Sequence, residues 1–326
     1  MAEAIPPGTR DVLPEEMREI RAIQAALLSS FAEGGYQEVR TPTIEYAEVV
    51  ERAEVGDAGA YRFLDDRGDL LALRNDMTVP IARLVSSRLA GEDGPWRLCY
   101  FANSFRPAAP KRAELREFGQ AGIELFGLGG LEGISEVLRV LYGSLDSVGL
   151  DRAVVGLGDA GLWSGVLEDL GVSPPVGAQT SDYLRRGDLV GLEAVLHTDG
   201  DLTREEVDVA MSVVRMRGGI EVIEEARSLT GEASAGPLDR IESALGRALE
   251  TGGGRAVTVD LGMARELGYY TGEILEIYEP AVGRVVGAGG RYDGLMKGFG
   301  LDVPAAGFSL YTERIHEARL EAGIDG

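Results

Sequence analysis

The stretch Gly287-Ala288-Gly289-Gly290-Arg291-Tyr292-Asp293-Gly294-Leu295 constrains this chain more than any other. Glycines at this density let a backbone bend sharply or let another group approach it closely, which by itself is a weak signal. Its surroundings sharpen it. Arg265-Glu266-Leu267-Gly268-Tyr269-Tyr270-Thr271-Gly272 lies one hairpin upstream, and Gly307-Phe308-Ser309-Leu310-Tyr311-Thr312-Glu313-Arg314 lies downstream.

Around this region the periodicities alternate between helix and strand. Met17, Ile20, Ile23, Leu27 and Phe31 recur at helical spacing, so a helix is predicted over 13–32, with Pro14 in its first turn and Gly34-Gly35 past its end. A short strand follows at 37–40. A hairpin is expected from 61–64 and 69–74, turning at Asp65-Asp66-Arg67-Gly68. Helices are predicted at 78–89 and 131–148, and long strands at 96–105 and 116–126. From about 160 to 253 the pattern becomes Leu/Val-rich and helical, punctuated by Ser173-Pro174-Pro175, Gly231–Gly236 and Gly252-Gly253-Gly254. Strands return at 256–261, 270–278 and 284–286, and 310–322 reads as a closing helix. This irregular order implies an α+β fold with a largely antiparallel sheet. The domain expectation is a core in two parts, 1–160 and 254–326, interrupted by a mostly helical insertion at 161–253.

Composition narrows the function. The 326 residues suffice for one large core. The chain has no apolar run of membrane-spanning length, and its first residues have neither the basic start nor the apolar core of a secretory signal; a cytoplasmic protein is expected, with no membrane partner. Cys99 is the one cysteine, and His197 and His316 are the only histidines. That excludes an internal disulfide and a Cys/His metal cluster, and argues against a histidine general base. No metal, no cofactor and no catalytic residue is expected. The net charge of −22 argues against a polyanion such as tRNA as partner, because such binding draws most of its strength from Lys and Arg on phosphates.

On the strand 116–126, Arg116, Gln120 and Glu124 share one face and Ile123 and Leu125 the other. The polar face could line a pocket or simply meet solvent, as one side of an antiparallel sheet commonly does; read alone, the strand favours solvent.

Taken together, the three segments resemble the core of histidyl-tRNA synthetase, and the likeness spans nearly the whole chain, weakly in 161–253. Pro7-Gly8-Thr9-Arg10-Asp11-Val12-Leu13-Pro14 is similar to that family's N-terminus. Gly35-Tyr36-Gln37-Glu38-Val39-Arg40-Thr41-Pro42 with Glu45 resembles class II motif 1, which implies a homodimer interface. Phe105-Arg106 through Arg116-Glu117-Phe118 resembles motif 2, and Gly307–Arg314 resembles motif 3. The resemblance implies that Arg74-Asn75-Asp76-Met77-Thr78 holds the amino group of a bound histidine, with Asp76 in place of the family's glutamate. Gln120 and Glu124 match positions in the same pocket, Arg265 the arginine near the substrate carboxylate, and Tyr270 and Tyr292, with Tyr269 beside them, the tyrosines around the imidazole. Arg106 completes the implied histidine site. A carboxylate for an ammonium, an arginine for a carboxylate and phenols for ring nitrogens are what free histidine requires. Each residue also has a local reading: Asp76 as a helix N-terminal acid, Tyr292 as a core aromatic.

The nucleotide half departs from the synthetase. Ala108 stands where motif 2 has the glutamate that reads adenine, Ala109 where the next arginine stands, and Ala113 and Glu114 replace the loop's glycine and arginine. Glu114 puts negative charge where a polyphosphate would lie, a repulsion on the order of kcal/mol. Tyr311 replaces a glycine in motif 3, crowding the place of the base; Arg314 is kept. The chain also stops where the synthetase begins its anticodon-binding domain. This combination resembles the ATP phosphoribosyltransferase regulatory subunits. It implies a non-catalytic protein that activates the short-form catalytic phosphoribosyltransferase in the first step of histidine biosynthesis and mediates feedback inhibition by free histidine. The effector is implied to sit either in the synthetase-like pocket or at the partner interface. Two alternatives stand beside it: a truncated ligase forming histidyl-adenylate for a non-tRNA or protein acceptor, and a tRNA-binding remnant.

Overall fold

The computed structural model describes residues 5–52, 59–107, 115–263 and 268–324. In chain order its elements are α1 (Pro14–Glu33), β1 (Gln37–Glu38), β2 (Ile44–Tyr46), α2 (Ala47–Glu51), β3 (Arg62–Leu64), β4 (Leu70–Leu73), α3 (Thr78–Leu84), β5 (Trp96–Phe105), β6 (Glu117–Phe126) and α4 (Gly130–Ser147). They continue with β7 (Val154–Asp159), α5 (Leu162–Asp169), α6 (Pro174–Arg185), α7 (Leu189–Thr198), α8 (Arg204–Arg215), β8 (Arg217–Gly218), α9 (Ile220–Leu229) and α10 (Glu232–Thr251). The last are β9 (Val257–Asp260), β10 (Glu273–Glu279), β11 (Arg284–Arg291), β12 (Ala305–Tyr311) and α11 (Thr312–Glu321).

Local chemistry explains the helix ends. Pro14 opens α1, Glu15 and Glu16 place negative charge at the positive end of its dipole, and Gly35 (φ 88°) turns the chain beyond it. Thr203 and Glu206 form a reciprocal capping box on α8. The start of α10 is capped from a distance: the Asp169 carboxylate accepts from the N–H groups of Gly231, Ala233 and Ser234 and from the Ser234 hydroxyl.

A nine-stranded sheet runs β1-β5-β6-β12-β11-β10-β7-β9-β8. The pairs β1–β5 and β7–β9 are parallel and the other pairs are antiparallel, in line with the sequence expectation. A second sheet, β2-β4-β3, is small. Side-chain alternation divides the large sheet into two worlds. Cys99, Phe101, Ala121, Ile123, Leu125, Ala306, Phe308 and Leu310 point into the main apolar core with α1, α4, α10 and α11. Each large aliphatic side chain fully buried there contributes about 1.5–3 kcal/mol. Leu98, Tyr100, Phe126 and Ala305 point to the opposite face, where α3 and the turn Leu295–Phe299 cover them.

Three sequence expectations needed correction. The helix expected over 78–89 is α-helical only to Leu84 and continues as a wider π-type turn over Val85–Leu89. Strand β7 was unforeseen; its run Val154-Val-Gly-Leu-Gly-Asp159 lacks alternation because both its faces are covered. Leu310 and Tyr311 end strand β12 instead of opening a helix, since pairing with β6 and β11 outweighs local preference. Between β7 and β9 the chain is helical apart from β8, and α10 packs on α4, α5, α9 and β7.

Candidate functional site

The pocket lies on the second face of the large sheet, and the register places its parts. Glu124 on β6 stands opposite Gly307 on β12, and Gly307 stands opposite Gly290 on β11. The glycines make the space. A Cβ on Gly307 would come within 2.6 Å of Glu124 Oε2 and 2.9 Å of the Tyr292 hydroxyl. Gly290, at φ 148°, sits in a conformation that a side chain rarely adopts; a Cβ there would press on the Glu273 carbonyl at 2.4 Å and on the Tyr270 ring at 3.0 Å. The glycine-rich stretch is therefore a strand whose missing side chains leave room for those of its neighbours.

Asp76, Thr78, Arg106, Gln120, Glu124, Tyr269, Tyr270 and Tyr292 line one cavity enclosing about 380 Å³, its open mouth included. Arg265, expected in the same site, lies outside the described residues, as do Ala108, Ala109, Ala113 and Glu114. Tyr100, Gly307, Ser309 and Tyr311 also line it. Of these, Tyr100 and Ser309 were missed; only their alternation on β5 and β12, in phase with Gln120 and Glu124 across the register, could have found them.

Asp76 and Glu124 are both buried. The two oxygens of Asp76 differ in their surroundings. Its Oδ1 accepts from the Val79 N–H (3.1 Å) at the start of α3, while Oδ2 is buried with no hydrogen-bond partner. Burial raises its carboxyl above the ordinary range, against the pull of the Val79 N–H, the Arg106 charge, the nearby Tyr269 hydroxyl and the Thr78 N–H. Glu124 Oε1 accepts from the Thr78 hydroxyl (2.8 Å), and Oε2 accepts from the Tyr292 hydroxyl. Its carboxyl is pushed well above the ordinary range, first by burial and further by the negative charge of Asp76. The polar face of β6 is thus not solvated, contrary to what the strand alone suggested.

Gln120 is fixed from both ends, accepting from the Ser104 hydroxyl (2.5 Å) and donating to Ser309 Oγ (3.2 Å). The three tyrosines pack on one another, with centroids 5.0 Å (Tyr269–Tyr270), 5.5 Å (Tyr269–Tyr292) and 6.3 Å (Tyr270–Tyr292) apart. Arg106 donates through Nε to the Asn75 carbonyl (2.9 Å) and lies 5.2 Å over the Phe118 ring. Arg74, in the same segment as Asp76, turns away and staples the carbonyls of Thr41, Pro42 and Asn103. The site therefore offers buried carboxylates and phenols around a small polar space, with one oxygen still unsatisfied.

Tyr311 forms part of the cavity wall. The Tyr311 ring meets Phe118 edge-on at 5.7 Å, and the Arg314 guanidinium lies 4.5 Å over its face.

Comparison with known proteins agrees with this fold. The family model described as histidyl-tRNA synthetase matches residues 8–315. A relative from Moorella thermoacetica named ATP phosphoribosyltransferase regulatory subunit is 41% identical over 326 residues, covering 97% of this chain and 82% of the relative. The chain belongs to the ATP phosphoribosyltransferase regulatory subunit family. A second regulatory subunit, from Desulforamulus reducens, is 36% identical, with 95% of this chain and 77% of the relative covered. Among solved structures, one described as an ATP phosphoribosyltransferase regulatory subunit/histidyl-tRNA synthetase from Bacillus halodurans superposes with a TM-score of 0.89 at 30% identity, covering 100% of this chain and 84% of that one. A histidine–tRNA ligase subunit from Alicyclobacillus acidocaldarius gives 0.82 at 28% identity, with 99% and 98% covered. The ATP phosphoribosyltransferase regulatory subunit family thus has the class II synthetase core as its fold. Its members are regulatory subunits, as expected for a chain without a reaction of its own. Among the described residues, no helix is long and apolar enough to cross a membrane.

Proposed function

We propose that this chain activates a short-form ATP phosphoribosyltransferase catalytic subunit, and that free histidine bound in the pocket of Asp76 and Glu124 transmits feedback inhibition to it. The observation that carries the reading is Asp76 Oδ2: a buried carboxylate oxygen with no partner, lining a cavity whose other acid is tied to Thr78 and Tyr292. A buried acceptor left unmatched costs about 1–3 kcal/mol, so a ligand ammonium at this point gains what the empty site lacks. Glu124 and the phenols of Tyr269, Tyr270 and Tyr292 suit an imidazole, with its N–H donor and ring nitrogen acceptor. Arg106, and Arg265 by the family resemblance, are the groups for the α-carboxylate. Histidine would alter the partner's activity only through unequal affinity for two states of the complex.

The same reading seats a second copy of this chain on the small sheet. Its register puts Ile44, Tyr46, Phe63, Leu71 and Leu73 on one face, with Glu45 on the other, where Arg83 binds it through two bonds of 2.8 Å. Ile44, Tyr46 and Phe63 are 46%, 54% and 38% exposed. Such a contiguous apolar face is characteristic of an interaction surface, and it continues the motif 1 segment that implied a homodimer.

The deciding experiment mixes the protein with a short-form ATP phosphoribosyltransferase and measures activity of each alone, of the mixture, and of the mixture with histidine. Activity confined to the mixture and suppressed by histidine is expected. Histidine-driven ATP–pyrophosphate exchange by the isolated protein would instead establish the ligase reading.

A further inference from the structure

A second buried charge cluster lies beside the pocket, on strand positions that contribute nothing to its lining. Asp159 ends β7, and its register partner on β10 is Glu273, so two buried carboxylates stand directly opposite each other. Like charges in that relation destabilise a sheet unless each finds a cation. Asp159 finds Arg240 of α10, which donates through Nε (2.7 Å) and Nη2 (2.8 Å). Glu273 finds Arg291, whose Nη1 lies 3.2 Å from Oε2 as an ion pair outside hydrogen-bond alignment. Arg291 also donates through Nε to Asp293 Oδ2 (2.9 Å).

Arg291 and Asp293 flank Tyr292, which bonds Glu124 in the pocket. The Arg291 carbonyl accepts from the Thr271 N–H (2.9 Å), and the Asp293 N–H donates to the Thr271 hydroxyl (2.9 Å). Thr271 adjoins Tyr270, a second pocket tyrosine. The Gly272 carbonyl in turn accepts from the Ala160 N–H (2.9 Å), one residue past Asp159. Both pocket tyrosines are therefore held by backbone that is pinned to the charge cluster. The helical stretch α5 to α10 leaves the sheet at Asp159 and reaches back to it through Arg240.

We infer that Arg240 of α10 is a positioning residue for the amino-acid pocket, setting Tyr270 and Tyr292 through Asp159, Glu273 and Arg291 without touching the ligand. Any movement of α10 is then felt by those tyrosines, which makes the helical segment a route for coupling a bound partner to the effector. The inference rests on histidine being the pocket's ligand.

The test measures histidine affinity by calorimetry for the wild type, Arg240→Lys, Arg240→Met, and Arg240→Met combined with Asp159→Asn. Hydrogen exchange is followed over peptides covering 268–274 and 290–294. The single Met variant strands a buried carboxylate and risks unfolding; the double variant removes that charge and is the decisive one. A folded double variant is expected to bind histidine about tenfold more weakly, with faster exchange in both peptides and unchanged exchange in β5 and β6. Arg240→Lys is expected to recover part of the affinity. Wild-type affinity and exchange in the folded double variant would overturn the inference. Absence of histidine binding to the wild type would instead overturn the ligand assignment, and faster exchange in the double variant would still reveal the positioning of the tyrosines.

Discussion

The Arg314 guanidinium lies 4.5 Å from the centroid of the Tyr311 ring, over its face, so the ring's polar and stacking partners both come from within the protein. Phe118 completes the contact edge-on, and Arg314 Nη1 is further tied to the Val285 carbonyl (2.6 Å). Arg314 occupies one face of the ring, and the contacts hold the phenol in place. Tyr311, held in this way, lines the same cavity as Asp76 and Glu124.

Replacing Ala108 by glutamate and Glu114 by arginine is expected to give no histidine-dependent ATP–pyrophosphate exchange while Tyr311 is present. Exchange is expected first when Tyr311→Gly is added to that pair. A radiolabel exchange assay on the wild type, the double variant and the triple variant checks this, and turnover with Tyr311 intact would remove the steric argument.

Asp76→Asn keeps the acceptor for the Val79 N–H but loses the charge that the proposal pairs with the histidine ammonium. Charge-assisted bonds contribute about 1.5–3 kcal/mol, so histidine should bind about ten- to a hundredfold more weakly and feedback inhibition should weaken in proportion. Because burial raises the Asp76 carboxyl, wild-type affinity should rise with pH as that group ionises. The asparagine variant should lack this limb of the profile. Calorimetry across pH on both proteins measures it; unaltered inhibition in the variant would place the effector elsewhere.

Glu124→Gln is expected to stabilise the protein at neutral pH while weakening histidine binding. The folded state holds the Glu124 proton more tightly than the unfolded chain does, since burial and Asp76 raise its carboxyl. Its stabilising contribution is therefore complete below the unfolded value and declines as pH rises through the folded one. Glutamine stays neutral and can still serve the Thr78 and Tyr292 hydroxyls, one as acceptor and one as donor. Melting curves should show the variant above wild type at pH 7, with the gap closing near about pH 4, where free carboxyls are protonated. A gap that is constant with pH would contradict the cause given.

Tyr46→Glu combined with Phe63→Glu places two charges on the exposed face of the small sheet. Sedimentation analysis should shift from a dimer to a monomer with the far-ultraviolet spectrum unchanged. A persistent dimer would mean that the copies meet through another surface.

Much of this was legible before any coordinates. The stripe Ile20, Ile23, Leu27, Phe31 specified α1, because burial on one face leaves a period in the chain, and the alternation of polar and apolar residues along β6 marked a central strand. Family resemblance, residue by residue, named the pocket's acids and tyrosines, and Tyr311 stood out as a glycine replaced. Other features are written in no local pattern. Strand β7 carries no alternation, so only its place between β10 and β9 makes it a strand. Burial of Gln120 and Glu124 depends on α3 and the tyrosine turn covering a face that resembles a wet one. The bond from Tyr292 to Glu124 spans 168 residues, and the pairing of Arg240 with Asp159 spans 81. Sequence by itself determined which side chains are available and the period at which they recur, since both are properties of neighbouring residues. Only the tertiary structure decided which of them are dehydrated together, and that removal of water is what leaves Asp76 in want of a partner.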